Sequence, residues 1–293
     1  MSGPWDRGPR PPRPPGGAPR SRPAPAGPRA PRRDTTEPAA ASAAGQAQRP
    51  ARREELRLYG LNAVDAVFRR RPEAIRKVYL AEARIPVLKP LLAWCVKHRV
   101  GYRVVADEDL ERLAASAHHE GVVADVQRTA PLPLQDWLAS LAPGAPALAL
   151  WLDGVGNPHN FGAILRSAAH FGAAVLLPPA SELALSGAAA RVAEGGAEAV
   201  PLVRLPQTGA ALDALRGAGF QLAATVVRGG DSLFGTALPP RLVYVMGAEG
   251  EGMDPALAAA CDRRLSIPGT GAVESLNVAA ATAVFLARWA ARG

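Results

Sequence analysis

Cysteine is nearly absent from this chain of 293 residues: Cys95 and Cys261 are the only two. They lie far apart and without metal-ligand spacing, which argues against a disulfide framework or a metal site and fits a reducing compartment. Long apolar runs are missing as well. The longest late one, Val278 to Ala287, is too short to span a bilayer, and the first residues carry Arg and Pro without an apolar signal core. A soluble, cytoplasmic protein with no membrane contact is expected. Neither GxGxxG nor GxxxxGK[ST] occurs, which argues against a dinucleotide-dependent oxidoreductase and leaves no phosphate-loop nucleotide site. No internal repeat is evident.

Acidic residues are scarce at one end only. Residues 1–53 hold 11 Arg and 3 acids, a net +8 that equals the formal charge of the whole chain; the rest carries 23 basic and 23 acidic groups. The same stretch holds 13 of the 29 prolines, with Trp5 as its one large apolar side chain. It cannot bury enough surface to offset the entropy of ordering, so a disordered tail is expected. Two uses stand open for it: a solvated linker, or an Arg-rich arm adding phosphate contacts that do not depend on base sequence.

Beyond the tail the pattern alternates between helix and strand. Residues 54–128 predict a small α/β domain. In it Leu58–Phe68 reads as a turn and helix, Val78–Leu80 as a strand and Val87–Arg99 as a helix. Tyr102–Val105 reads as a second strand, Asp107–Ala114 as a helix capped by Asp107, and Val122–Val126 as a third strand. His118 and His119 stand at a loop entering that last strand, where adjacent histidines are structural more often than catalytic. Residues 129–146, with four prolines, predict a linker in which Trp137 and Leu138 pack as a short helix. Residues 147–293 predict a second α/β domain with strands at 148–152, 174–177, 200–203, 221–226, 242–246 and 264–267. Continuous apolar strands such as LALWL and LVYVM imply a parallel sheet covered on both faces.

Three segments of this second domain carry polar groups at strand ends and helix starts. In NPHNFGAILRSAAHFG (157–172), Pro158 favours a helix start. Phe161, Ile164, Leu165 and Ala168 then form a buried stripe, with Arg166 off it and able to lean back toward Asn160. In VYVMGAEGEGMD (243–254), Gly247, Gly250 and Gly252 follow an apolar strand, where missing side chains let backbone approach a ligand. In IPGTGAVESLNVAAA (267–281), Ser275 is a candidate cap for an Ala-rich helix.

In this order and spacing the three segments resemble the SpoU/TrmH family of RNA ribose 2′-O-methyltransferases. YGLNAV and HHEGVVADV upstream resemble the L30e-like substrate-binding domain that precedes the catalytic domain in many members. The resemblance covers about residues 56–293. It implies a knotted SPOUT domain with a trefoil knot, the last segment being threaded through a loop, and a homodimer formed through that domain. It also implies S-adenosylmethionine as methyl donor and ribosomal or transfer RNA as substrate. Carried over residue by residue, Asn160, Arg166, Glu249, Ser275 and Asn277 belong to the reaction centre. Gly247, Gly250, Ile267 and Leu276 hold the cofactor, with Thr225 a further contact. Gly269 stands where the family usually has Met, and Ala279 where it usually has Ser; both bear on subfamily and RNA target. An RNA-binding protein that kept this fold and lost catalysis is the alternative, and the intact polar set argues against it.

The chemistry accounts for the set. A ribose hydroxyl must become more nucleophilic and meet a sulfonium methyl in line, and each pKa unit is worth about 1.4 kcal/mol. A guanidinium is a poor proton acceptor, so Arg166 suits an electrostatic clamp on the developing alkoxide and a neighbouring phosphate. Base action by Arg166 with RNA bound stays open.

Overall fold

The computed structural model describes residues 55–291 except 180, 182, 249 and 251. The tail at 1–53 and Glu249 therefore lie outside the described residues.

The N-terminal layer is a four-stranded sheet built from β1 (Glu55–Tyr59), β2 (Ile75–Leu80), β3 (Gly101–Val104) and β4 (Val122–Gln127), in the order β1-β4-β2-β3. β4 runs antiparallel to β1 and β2, and β3 parallel to β2. Leu56, Leu58, Val78, Leu80 and Val122 face one core beneath α1 (Leu61–Arg70) and α2 (Ile85–His98). β1 replaces part of the expected turn at Leu58. Its ELRLY alternates exposed and buried positions until Tyr59, the signature of a half-buried strand. α3 (Asp107–Ala114) follows β3, but Asp107 is its first helical residue and not its cap. Ala106 holds the cap position without a side-chain bond, while Asp107, Glu108 and Asp109 face the positive end of the helix dipole.

The second layer is a parallel sheet. Its strands are β5 (Leu132–Pro133), β6 (Ala147–Leu152), β7 (Ala174–Leu177), β8 (Leu202–Arg204), β9 (Gln221–Thr225), β10 (Asp231–Ser232), β11 (Arg241–Met246) and β12 (Arg263–Ser266). They lie in the order β10-β12-β9-β11-β6-β7-β8-β5, and every pairing is parallel. β6, β7 and β11 are buried on both faces, as their unbroken apolar runs require. The segment between the layers takes part in this sheet. β5 pairs with β8, and α4 (Leu134–Ser140) buries Trp137 at 5.6 Å from the Phe220 ring.

Helices cover both faces. α5 (Pro158–Phe171), α6 (Gly187–Val192) and α9 (Val278–Ala290) pack against Leu150, Leu152, Tyr244 and Met246, while α4, α7 (Thr208–Gly217) and α8 (Pro255–Ala260) pack against Trp151, Val243 and Val245. Within α5 the predicted stripe of Phe161, Ile164, Leu165 and Ala168 is buried. Burial of each of the three large side chains contributes about 1.5–3 kcal/mol. Gly162 lets α6 approach: a Cβ there would lie 2.5 Å from the Ala189 carbonyl oxygen and 2.7 Å from Val192 Cβ.

Charged groups join the two layers. Arg71 donates to both Glu198 oxygens at 2.6 and 2.8 Å and to the Gln127 carbonyl at 2.7 Å. Arg191 of α6 pairs with Glu120 of the small layer and with Glu194, whose carboxylate also accepts from Asn62. The Asn62 amide and the Arg191 guanidinium hold the Glu194 carboxyl below its usual range, against the opposing pull of burial. The small layer is thus pinned to the turn (Gly196–Glu198) that packs on α5, the helix carrying Asn160 and Arg166.

Candidate active site

β6 and β11 are neighbours whose outgoing connections diverge, one through α5 to β7 and the other through α8 to β12. In an open α/β sheet the crevice outside the carboxyl ends of two such strands is where ligands bind. Two loops meet there. The Asp153 amide donates to the Met246 carbonyl at 2.8 Å, and one Asp153 carboxylate oxygen accepts from the Asp254 amide at 2.8 Å. The loop after β11 closes on itself: the Ala248 amide donates to Gly252 O at 2.8 Å, and the Gly252 amide to Ala248 O at 3.1 Å. A Cβ on Gly247 would lie 2.6 Å from Gly252 C and 2.7 Å from Met253 N. Glycine is required at 247 by backbone packed against backbone. Gly250 sits in the same loop with φ +87.

Asn157 caps α5, its side-chain oxygen accepting from the His159 amide at 2.8 Å and the Asn160 amide at 3.4 Å. The Asn-Pro pair marks this start in the sequence, so the cap could have been read there. Across the mouth Asn277 caps α9, accepting from the Ala279 and Ala280 amides at 3.0 and 3.3 Å. The cap expected at Ser275 belongs to Asn277, because helical backbone begins only at Val278; Ser275 is exposed two residues earlier. The Asn277 amide donates to Asn160 Oδ1 at 3.0 Å, joining the first turns of two helices 117 positions apart in the chain.

The cofactor candidates lie at three adjacent strand ends. Thr225 closes β9 and donates its hydroxyl to the Val245 carbonyl at 2.8 Å. Gly247 follows β11, and Ile267, partly buried against the core, follows β12. Leu276 is 47% exposed and Val273 69% exposed in the loop leading to α9, an uncovered apolar surface beside those strand ends. Such a mixture of backbone polar groups and apolar side chains fits an adenosyl group with its methionyl chain.

Arg166 stands apart from the asparagine pair. Six residues at about 100° each place it roughly 120° around α5 from Asn160 and about 9 Å along the axis. It is exposed, its Cα packs 3.1 Å from where a Cβ on Gly196 would lie, and its charge acts on Glu194. The structure thus joins Asn160 to Asn277 directly and sets Arg166 on another flank of the same helix. Burial first, then Asp262, pushes the Cys261 thiol up to about 11, and burial also raises Cys95, so both thiols are kept protonated. Among the described residues no group of three or more His, Cys, Asp or Glu could hold a metal ion, and no helix is long and apolar enough to cross a membrane.

The chain is similar to known proteins. The model of the SpoU rRNA methylase family matches residues 147–287, and that of the RNA 2′-O ribose methyltransferase substrate-binding domain matches 57–132. The chain is 38% identical to YfiF of Escherichia coli O157:H7, described as an uncharacterised tRNA/rRNA methyltransferase, over 82% of this chain and 69% of that one. It is 37% identical to RlmB of Haemophilus influenzae, a 23S rRNA (guanosine-2′-O-)-methyltransferase, over 78% of this chain and 94% of that one. The fold matches the SpoU methyltransferase AviRb of Streptomyces viridochromogenes, solved with AdoMet, with a TM-score of 0.68 at 24% identity over 84% of this chain and 93% of that one. With its strand-end loops and paired helix caps inside the stretch that the methylase model matches, and with relatives this similar over most of its length, the chain belongs to the SpoU family of RNA methyltransferases.

Proposed function

We propose that this protein transfers a methyl group from S-adenosylmethionine to the ribose 2′-hydroxyl of a guanosine in ribosomal RNA. The observation that carries the reading is the Asn160–Asn277 hydrogen bond of 3.0 Å. It fixes the side-chain amides of Asn160 and Asn277 together at the first turns of α5 and α9, at the mouth of the crevice. The guanosine and the ribosomal target rest on the RlmB relatives, whose names specify both.

Thr225, Gly247, Gly250, Ile267 and Leu276 would hold the cofactor at the ends of β9, β11 and β12. Bound there, its sulfonium supplies the methyl group. Arg166 meets the RNA from the flank of α5, where its charge stabilises the alkoxide that develops on the ribose and holds an adjacent phosphate. Ser275, exposed on the loop before α9, and Glu249 complete the reaction centre. The small N-terminal layer is an L30e-like RNA-binding domain covering residues 54–128, joined by 129–146 to the catalytic domain of 147–293. The last segment of that domain forms the trefoil knot. The protein works in the cytoplasm as a homodimer through this domain, for which the exposed Val273 and Leu276 supply uncovered apolar surface. The Arg-rich residues 1–53 add phosphate contacts.

Mapping of 2′-O-methylated positions in RNA from cells with and without the protein tests the reading. One guanosine of ribosomal RNA is expected to lose its methyl group when the protein is absent. An unchanged map would overturn the assignment.

A further inference from the structure

A cleft of about 550 Å³ opens beside the first turn of α5, within the range of about 300–1,000 Å³ that accommodates small ligands. Asp153, Val155 and Pro158 line one side, with Pro178, Ser181 and Leu183 among the residues completing it. Val155 and Leu183 are largely buried at its edge, and the two prolines give it rigid apolar faces. The loop after β7 is pinned from behind, since Arg204 donates to the carbonyls of Pro178 and Ser181 at 2.7 and 3.1 Å. Pro158 and Asn160 belong to the same first turn of α5, so the cleft and the Asn160–Asn277 pair both lie at that end of the helix.

The polar groups in it are few. One Asp153 oxygen accepts from the Asp254 amide at 2.8 Å, which orients the carboxylate; the other has no hydrogen-bond partner among the described residues. The Ser181 oxygen accepts from the Leu183 amide at 3.2 Å, leaving its hydroxyl hydrogen to donate. We propose that this cleft takes the base of the nucleotide being methylated, and that Asp153 selects guanine by accepting from N1–H and N2–H of its Watson–Crick edge. The proposal rests on the ribose-methylation reading above.

Base chemistry makes the choice. Guanine alone among the four bases presents two adjacent N–H donors on that edge, matching the acceptor-only carboxylate. Adenine and cytosine set a ring acceptor beside their amino group, and uracil flanks one N–H with two carbonyls. Each would place a lone pair against Asp153. A purine held between proline and apolar walls is the arrangement enzymes use to act on an unstacked nucleotide.

The test uses the full chain and a short RNA carrying the mapped nucleotide either as guanosine or as inosine, which lacks the N2 amino group. Wild-type protein should lose about ten- to a hundred-fold in kcat/KM on inosine, the loss of a hydrogen bond to a charged group. Asp153→Asn keeps an oxygen for the Asp254 amide but turns the second acceptor into a donor. It should hold S-adenosylmethionine as wild type does while its guanosine-to-inosine ratio falls to within about three-fold of unity. A merely structural Asp153 would lower both rates and leave that ratio alone. Equal rates on the two RNAs with wild-type protein would overturn the proposal whether or not the variant folds, as would a variant that still discriminates. A methylated nucleotide other than guanosine would remove the guanine assignment and leave ribose methylation standing; no methylated site at all would remove the function itself.

Discussion

Replacing Arg166 with Ala is expected to lower single-turnover methyl transfer by about 10²–10³-fold, the loss seen when one preorganised donor to a developing oxyanion is removed. S-adenosylmethionine affinity measured by calorimetry should not change, because the residues proposed to hold it lie at the ends of β9, β11 and β12, away from the flank of α5 that carries Arg166. Fold stability should hold as well. Arg166 is exposed, its Ala replacement leaves unchanged the backbone that packs on Gly196, and Glu194 retains both Asn62 and Arg191. A charge needed only as the alkoxide forms lowers kcat and kcat/KM together. Wild-type transfer by the variant would rule out the clamp.

The second large effect is expected at Gly247, and its cause differs from the one the sequence suggests. Glycine after a strand reads as room for a ligand, which would make Ala mild and Val severe. The space a Cβ would enter is instead occupied by the backbone of Gly252 and Met253, at 2.6–2.7 Å. Gly247→Ala and Gly247→Val should therefore both spread the loop. The Ala248–Gly252 pair and the Asp153–Asp254 bond would be lost, with overpacking costing about 1–3 kcal/mol. Cofactor binding should fall below calorimetric detection in both. Wild-type affinity in the Ala variant would show that the backbone contact does not govern the site.

How far the sequence could be read follows from the range of each interaction. β6, β7 and β11 of the large sheet were legible because burial on both faces leaves unbroken apolar runs. β5 and β10 have two residues each, too few for any periodicity. β1 was hidden because its alternation begins directly beyond the Arg-rich stretch, and a turn reading at Leu58 competes with it. Ser275 and Asn277 are both good caps by residue type, and only the backbone decides which one starts the helix. The seam was out of reach: Asn62 and Glu194 are 132 positions apart, and Arg71 and Glu198 are 127 apart. No local pattern announces such pairs. The flank on which Arg166 sits was readable from its six-residue offset to Asn160, yet the offset alone does not say that the 194–198 segment lies beside it.

Ribose methylation has a chemical signature that separates it from every other RNA modification this crevice could perform. A 2′-O-methyl group removes the internal nucleophile by which alkali cleaves the following phosphodiester. Purified protein, methyl-labelled S-adenosylmethionine and unmodified ribosomal RNA should therefore give label in an alkali-stable dinucleotide whose first residue is guanosine. Label released entirely as mononucleotide would place the methyl group on a base and contradict the account, and no incorporation into RNA would contradict it equally.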